Sequence, residues 1–186
     1  NSDLSLMSHP KFVEGARCLQ DAGLSLDFWI YHTQLSEMEK IARTLPELNI
    51  ILNHIGGPIH LGEYEGKQAL THREWRKAMM RLSRLPNIKV KLGGLGMEVN
   101  GAKFHLNQNP PNSSQLADIW KSWIYETIDM FGVERCMFES NFPVDKGSCS
   151  YGSLWNAFKI ISENMSDNEK NKLFYENAAK TYKIKL

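Results

Sequence analysis

Four short apolar runs, each followed by a segment with helical spacing, constrain this fold more than any other feature of the chain. The runs cover residues 26–32, 49–54, 87–92 and 136–140. Strands that alternate one by one with helices lie parallel, because each helix carries the chain back to the end where the last strand began. Short strands this rich in apolar residues suit a sheet covered by helices. The helical stretches begin with residues 11–22, where Phe12, Ala16 and Leu19 share a face and Gly23 is the stop. Residues 34–44 follow, with Ser36 as the expected cap or early-turn residue and Leu45-Pro46 as the end. Residues 71–85 place Trp75, Met79 and Leu82 on one stripe, and residues 113–131 are capped by Ser113 or Ser114 and closed by Gly132. Two more helices span 151–163 and 167–182, the second opened by Ser166 and Glu169 at capping-box spacing.

Two architectures satisfy this alternation. An open doubly wound sheet calls for a Gly-rich phosphate turn after its first strand, and His32-Thr33-Gln34 is not one. Three of the runs end in a polar residue (His32, His54 and Ser140) that would face a common mouth, which favours a (β/α) barrel of TIM type. A whole eight-unit barrel takes about 250 residues. The 186 residues here hold four β/α units plus a leading and a terminal helix. The expectation is one α/β domain over residues 1–186, equivalent to the carboxy-terminal half of such a barrel.

Composition narrows the function classes. The net charge is +1, with the basic residues scattered rather than striped, so no nucleic-acid partner is expected. No apolar run approaches the roughly 20 residues of a membrane span. Cys18, Cys136 and Cys149 are odd in number and lack CxxC spacing, as suits thiols in a reducing compartment. Asn1-Ser2-Asp3-Leu4 has neither a basic nor an apolar leader character. A cytoplasmic protein acting on a small-molecule substrate is expected.

The candidate chemistry lies at the strand ends. His32 and His54 close two successive runs, and neighbouring strands lie about 5 Å apart, so the two imidazoles could share a metal, a carbonyl or a water. Lys89 and Lys91 share one face of the third strand, opposite Ile88, Val90 and Leu92. A buried lysine is costly unless paired or working; Lys91, nearer the mouth, is the candidate for an anionic substrate group, with pairing to an interior carboxylate as the alternative. Glu139, Ser140, Asn141 and Asp145 cluster where Pro143 stops the last strand. A carboxylate there could deprotonate water or ligate a metal, whereas the Asn141 amide can only orient or hydrogen-bond. Gly93-Gly94-Leu95-Gly96 lacks the Lys-Ser/Thr tail of a phosphate loop and reads as a tight turn with close backbone approach. Trp120, Trp123 and Ile124 read as a core stripe, and Cys149, with no nearby His, as inert.

Together these residues resemble the amidohydrolase superfamily, in its amidohydrolase-related branch of TIM-barrel hydrolases that includes sugar-lactone and pyrone-dicarboxylate lactonases and, more distantly, decarboxylases. The resemblance is carried by residues 28–35, by Leu52-Asn53-His54-Ile55-Gly56-Gly57-Pro58, by residues 90–95, by Arg135 to Asp145 and by Asn177-Ala178-Ala179-Lys180-Thr181-Tyr182. It implies that the four strands are the fifth to eighth of the barrel. It implies His32 as a metal ligand in metal-using members, and His54 as a group that binds a metal or polarises substrate and water. Asn141 stands where the family places an Asp within a Ser-Asp-aromatic-Pro pattern, and the His-x-His pair of a first strand is absent. The implied cofactor is one divalent metal, zinc or manganese, or none.

The expected activity is hydrolysis of a lactone or related cyclic ester or amide. His54 polarises the carbonyl or binds a metal, His32 assists, Asp145 activates water with Asn141 as its catalytic neighbour, and Lys91, Glu139 and Ser140 bind the substrate, Lys91 at a carboxylate. A second expectation is a silent half-barrel that works only on association with another copy or with an amino-terminal half, because its outer strands would be open edges. A third is metal-dependent decarboxylation on the same scaffold.

Overall fold

Four parallel strands pair in chain order to form one sheet: β1 (Ser25–Phe28), β2 (Asn49–Leu52), β3 (Ile88–Leu92) and β4 (Cys136–Phe138). The structure is a computed structural model that describes residues 6–185. The leader character read from Asn1 to Leu4 lies outside the described residues. Helices α1 (Pro10–Asp21), α2 (Leu35–Thr44), α3 (Gln68–Leu82), α4 (Ser113–Phe131) and α5 (Tyr151–Ile161) alternate with the strands. Two short helices close the chain, α6 (Asp167–Asn171) and α7 (Asn177–Tyr182), joined by a π turn.

The register assigns the two faces of the sheet. Ile50 pairs with Ile88, Leu52 with Val90, and Leu92 with Phe138; these side chains enter the core with Leu35, Met38, Trp75, Leu82, Trp120, Ile124 and Phe158 from the helices. Alternation sends Asp27, Ile51, Lys89, Lys91 and Met137 to the opposite face, where Asp27 is level with Ile51, Ile51 with Lys89, and Lys91 with Met137. Helix α2 packs on α3, α3 on α4, and α4 on α5. The Trp120 and Ile124 stripe is core, as its spacing implied.

Three polar side chains stitch the connections between helices and strands. The Asn87 amide donates to the carbonyls of Ala42, Leu45 and Leu48 at 3.1, 3.0 and 3.3 Å. The Arg135 guanidinium donates to those of Phe131, Leu85 and Ser83 at 2.9, 2.8 and 2.7 Å. Asn177 donates to Val133 and Cys136 at 2.7 and 2.8 Å. Each satisfies carbonyls that a turn would otherwise leave without a partner. Arg135 and Asn177 both fall in segments that carry the family resemblance, and both hold structure.

One helix cap departs from expectation. Asn112, not Ser113 or Ser114, caps α4: its side chain accepts from the Gln115 N–H, and Gln115 accepts from the Asn112 N–H, both at 3.0 Å. Ser36 lies in the first turn of α2, the second of its two expected places; a 3-10 turn at His32–Gln34 precedes the helix, and the Gln34 side chain accepts from the Tyr31 N–H at 3.1 Å. The Ser166–Glu169 capping box is present.

The carboxy terminus folds back towards the first strand. The Tyr182 hydroxyl donates to Asp27 at 2.7 Å, and Lys183 Nζ donates to the Gly23 carbonyl at 2.8 Å. Among the described residues β1 and β4 pair on one side only. A groove of about 520 Å³ lies beside β1, lined by Leu6, Phe12, Leu26, Phe28, Trp29 and Ile30 among others. The three cysteines are free, Cys136 and Cys149 buried. Burial pushes the Cys149 thiol up to about 11, which keeps it protonated and inert. No helix among the described residues is long and apolar enough to cross a membrane.

Candidate active site

The site is built on a left-handed turn after β2. His54, Ile55, Gly56 and Gly57 have φ of 54, 48, 77 and 53°. For the two residues with a side chain this conformation costs about 1–2 kcal/mol each, so it persists only where its surroundings fix it. Three contacts do so. The Trp75 indole donates to the Ile55 carbonyl at 2.6 Å, the Gly57 N–H to the His54 carbonyl at 2.9 Å, and the His54 N–H to Glu139 Oε1 at 3.0 Å.

Glu139 lies two residues beyond Met137 and continues the inner face of β4. Its Oε1 also receives His54 Nδ1 at 2.5 Å. An ionised carboxylate only accepts, so a neutral imidazole in this contact carries its proton on Nδ1 and keeps a lone pair on Nε2. The Trp29 ring meets the His54 imidazole edge-on, with centroids 4.4 Å apart. The ring is thereby held by Glu139 after β4 and by Trp29 after β1.

The glycine-rich segment is the bed of this site. A β-carbon on Gly93 would collide with the Glu139 carbonyl oxygen; one on Gly94 would lie 2.5 Å from the His54 ring, and one on Gly96 3.0 Å from the Asp145 carboxyl. The close backbone approach read from the sequence is present, and each of these glycines makes room for a different polar residue. The three side chains rest on one four-residue loop although they come from two distant stretches of chain.

Asp145 is 1% exposed. Its Oδ1 accepts from the Asn141 amide at 2.9 Å, and its Oδ2 is buried without a protein partner. Burial is the main cause that raises its carboxyl to about 6, against Asn141 and the Gly96 amide, which favour the charged form. Asn141 sits at φ 53°, a region asparagine tolerates; it orients Asp145, in keeping with an amide's chemistry. The Ser140 hydroxyl accepts from the Phe142 N–H at 3.2 Å and serves the turn.

Two expected residues are placed otherwise. His32 does not join His54. Strand β1 ends at Phe28, four residues before the expected end, so the alternation that would have aimed His32 at the mouth has lapsed. Its Nδ1 accepts from the Ile59 N–H at 3.2 Å, its ring lies edge-on to Tyr64, and its Nε2 is 3.7 Å from Glu74. Burial lowers its proton affinity. With Nδ1 accepting, the neutral ring carries its proton on Nε2, which leaves no lone pair there for a metal. Lys91, expected to meet an anionic substrate group, is paired with Asp27 at 2.7 Å and lies 3.9 Å from Glu139 Oε2. Pairing with a carboxylate is the arrangement seen, although Asp27, the partner, is itself exposed.

Among the described residues a divalent metal finds no fitting donor set. No three His, Cys, Asp or Glu side chains among the described residues are grouped to hold one, and His32 faces another part of the fold. The chemistry below uses no metal.

Sequence reading did not find the His54–Glu139 pair as a pair, nor the partner of His72, whose Nε2 meets Glu126 at 3.0 Å. The two halves of each pair lie 85 and 54 residues apart, and no local spacing records such contacts.

A parallel β/α sheet that gathers a His–carboxylate pair and a buried Asp at the carboxyl ends of its strands defines a β/α-barrel protein with its site in the usual place. The sequence profile of the amidohydrolase family matches residues 6–184, and the chain belongs to that family. An uncharacterized protein of Sinorhizobium fredii is 38% identical over 179 residues, covering 94% of this chain and 52% of its own length. The L-fucono-1,5-lactonase of Burkholderia multivorans is 26% identical over 174 residues, covering 93% and 56%. In fold, the chain is similar to a zinc-bound amidohydrolase crystallised from Burkholderia multivorans, with a TM-score of 0.83, 24% identity, and coverage of 100% of this chain and 62% of that one. The chain spans about half the length of the curated relatives it matches. The fold is therefore that of part of an amidohydrolase barrel.

Proposed function

We propose that this chain carries catalytic groups of a lactone hydrolase, with His54 as the general base. The observation that supports this reading is the His54–Glu139 contact, which fixes one tautomer and leaves Nε2 free to take a proton. Water attacks the lactone carbonyl as His54 Nε2 accepts its proton. The ring C–O bond then breaks, and the leaving alkoxide takes a proton from Asp145, whose burial favours its protonated form. Family membership and the lactonase relatives support the reaction class.

The charges around the site favour a neutral, hydroxyl-bearing lactone. Lys91 is engaged by Asp27, while Glu139 adds negative charge beside it. A substrate carboxylate about 8 Å from one of these carboxylates would meet a repulsion of about 2 kcal/mol at an effective dielectric of 20. Acid release from L-fucono-1,5-lactone and from 2-pyrone-4,6-dicarboxylate tests this. The expected kcat/KM is about tenfold or more in favour of the neutral lactone; equal or reversed preference would sink the substrate assignment.

A second reading rests on the free strand edges: a second copy of the chain closes the ring. Both free strands run in the same direction, so the β4 edge of one copy can pair with the β1 edge of another, twice, about a two-fold axis. Large exposed apolar residues flank both edges, with Leu6, Leu24 and Trp29 on one side and Val144, Tyr151 and Tyr175 on the elements after β4. Sedimentation is expected to show a dimer. A monomer at all concentrations excludes this closure.

A further inference from the structure

We infer that Lys91, Asp27 and Tyr182 form a positioning relay that holds Glu139, and through it the His54 ring, in the base-competent arrangement. The contacts form one chain. The Tyr182 hydroxyl donates to Asp27 Oδ2 at 2.7 Å, Lys91 Nζ donates to the same oxygen at 2.7 Å, and Nζ also lies 3.9 Å from Glu139 Oε2. Glu139 uses its other oxygen for His54 Nδ1 and for the His54 N–H. Lys91 also lies 5.4 Å from the centre of the Tyr182 ring, so the helix end and the lysine hold each other.

The division of labour between the two Glu139 oxygens is the core of the argument. A carboxylate held at one oxygen only can rotate about its last bond. Hydrogen-bonded to His54 at Oε1 and attracted at Oε2 by the Lys91 charge 3.9 Å away, Glu139 presents an oriented acceptor to the imidazole. The lysine is mostly buried, at 18% side-chain exposure, and so is Glu139 at 15%. Neither ion is solvated well enough to dispense with its partner. Tyr182 and Asp27 set where the lysine can go. The last helix of the chain thereby acts on a residue of the second strand's turn without touching it.

None of these three residues contacts the reacting atoms in the proposed reaction, so they are positioning residues. The consequence for turnover rests on the lactone-hydrolase reading, while the structural content does not. The test is a long-range proton–nitrogen correlation spectrum of the protein carrying ¹⁵N-histidine, with the His54 signals assigned by their loss in His54→Asn. The unaltered protein is expected to show the Nδ1–H tautomer with slow exchange of that proton. Lys91→Met is expected to speed the exchange about tenfold or more, and Lys91→Arg to preserve it. Tyr182→Phe, at a half-exposed position that does not threaten the fold, shifts it in the same direction by less. In the hydrolase assay Lys91→Met lowers kcat on the order of tenfold to a hundredfold with KM within about twofold.

Unchanged exchange in Lys91→Met and in Asp27→Asn overturns the relay, whatever the activity. A resting Nε2–H tautomer overturns it too. Altered exchange in a protein that hydrolyses no lactone sustains the relay and refutes the hydrolase reading.

Discussion

On the proposed lactone-hydrolase reading, replacing His54 with asparagine is expected to lower kcat/KM by about 10²- to 10⁴-fold, the span of a positioned acid–base side chain. Asparagine is the informative substitute because position 54 has φ 54°, a conformation asparagine adopts at little cost. The fold is retained and the loss is assignable to the missing imidazole. Glu139→Gln produces a loss of similar size by a different route. A glutamine amide can donate to Nδ1, which moves the ring proton to Nε2 and removes the lone pair that accepts from water. Because both changes disable one unit, the double variant loses about as much as either single one. Rates for His54→Asn within twofold of the unaltered protein would remove His54 from the mechanism, and additive losses would separate Glu139 from it.

Gly93→Ala destabilises the protein by about 3 kcal/mol, at the upper end for an overpacked site. Its β-carbon would collide with the Glu139 carbonyl oxygen, a backbone atom that cannot swing aside. Gly94→Ala combines a left-handed cost of about 1 kcal/mol with a β-carbon 2.5 Å from the His54 ring. It therefore also displaces the proposed base and reduces activity beyond what its stability loss explains. Gly15→Ala is the control. That glycine lies within α1 with no atom near its would-be β-carbon, and alanine there adds about 0.5–1 kcal/mol. Urea denaturation reads all three. Equal midpoints for Gly93→Ala and Gly15→Ala would mean that the 93–96 loop is not a bed for the site.

Both results depend on contacts that no window of sequence contains. The strand–helix alternation was legible because it repeats within short windows, and burial on one face imposes its spacing. The Ser166–Glu169 capping box was legible because its partners are three residues apart. The cap of α4 moved from Ser113 or Ser114 to Asn112, which offered the same chemistry one or two residues earlier. Burial of Trp120 and Ile124 followed from helical spacing alone.

The site was legible only as a list. His54, Glu139 and Asp145 were identifiable by type and by their places at strand ends, but their mutual contacts were not. His32 was aimed at the mouth by extending β1 to residue 32. The strand leaves its ladder after Phe28, and one lost alternation sends the ring against Tyr64 and Glu74. Lys91 was open between substrate and partner, and Asp27, 64 residues away, takes it.

What the sequence by itself determined is the parallel β/α order, the polar character of the strand ends and the glycines that allow close approach. These follow from local periodicity and from the backbone freedom of single residues. What only the tertiary structure decided is which polar groups meet. Ion pairs and tautomers depend on separations of a few ångströms between residues far apart in the chain, and those separations exist only once the strands have paired in register.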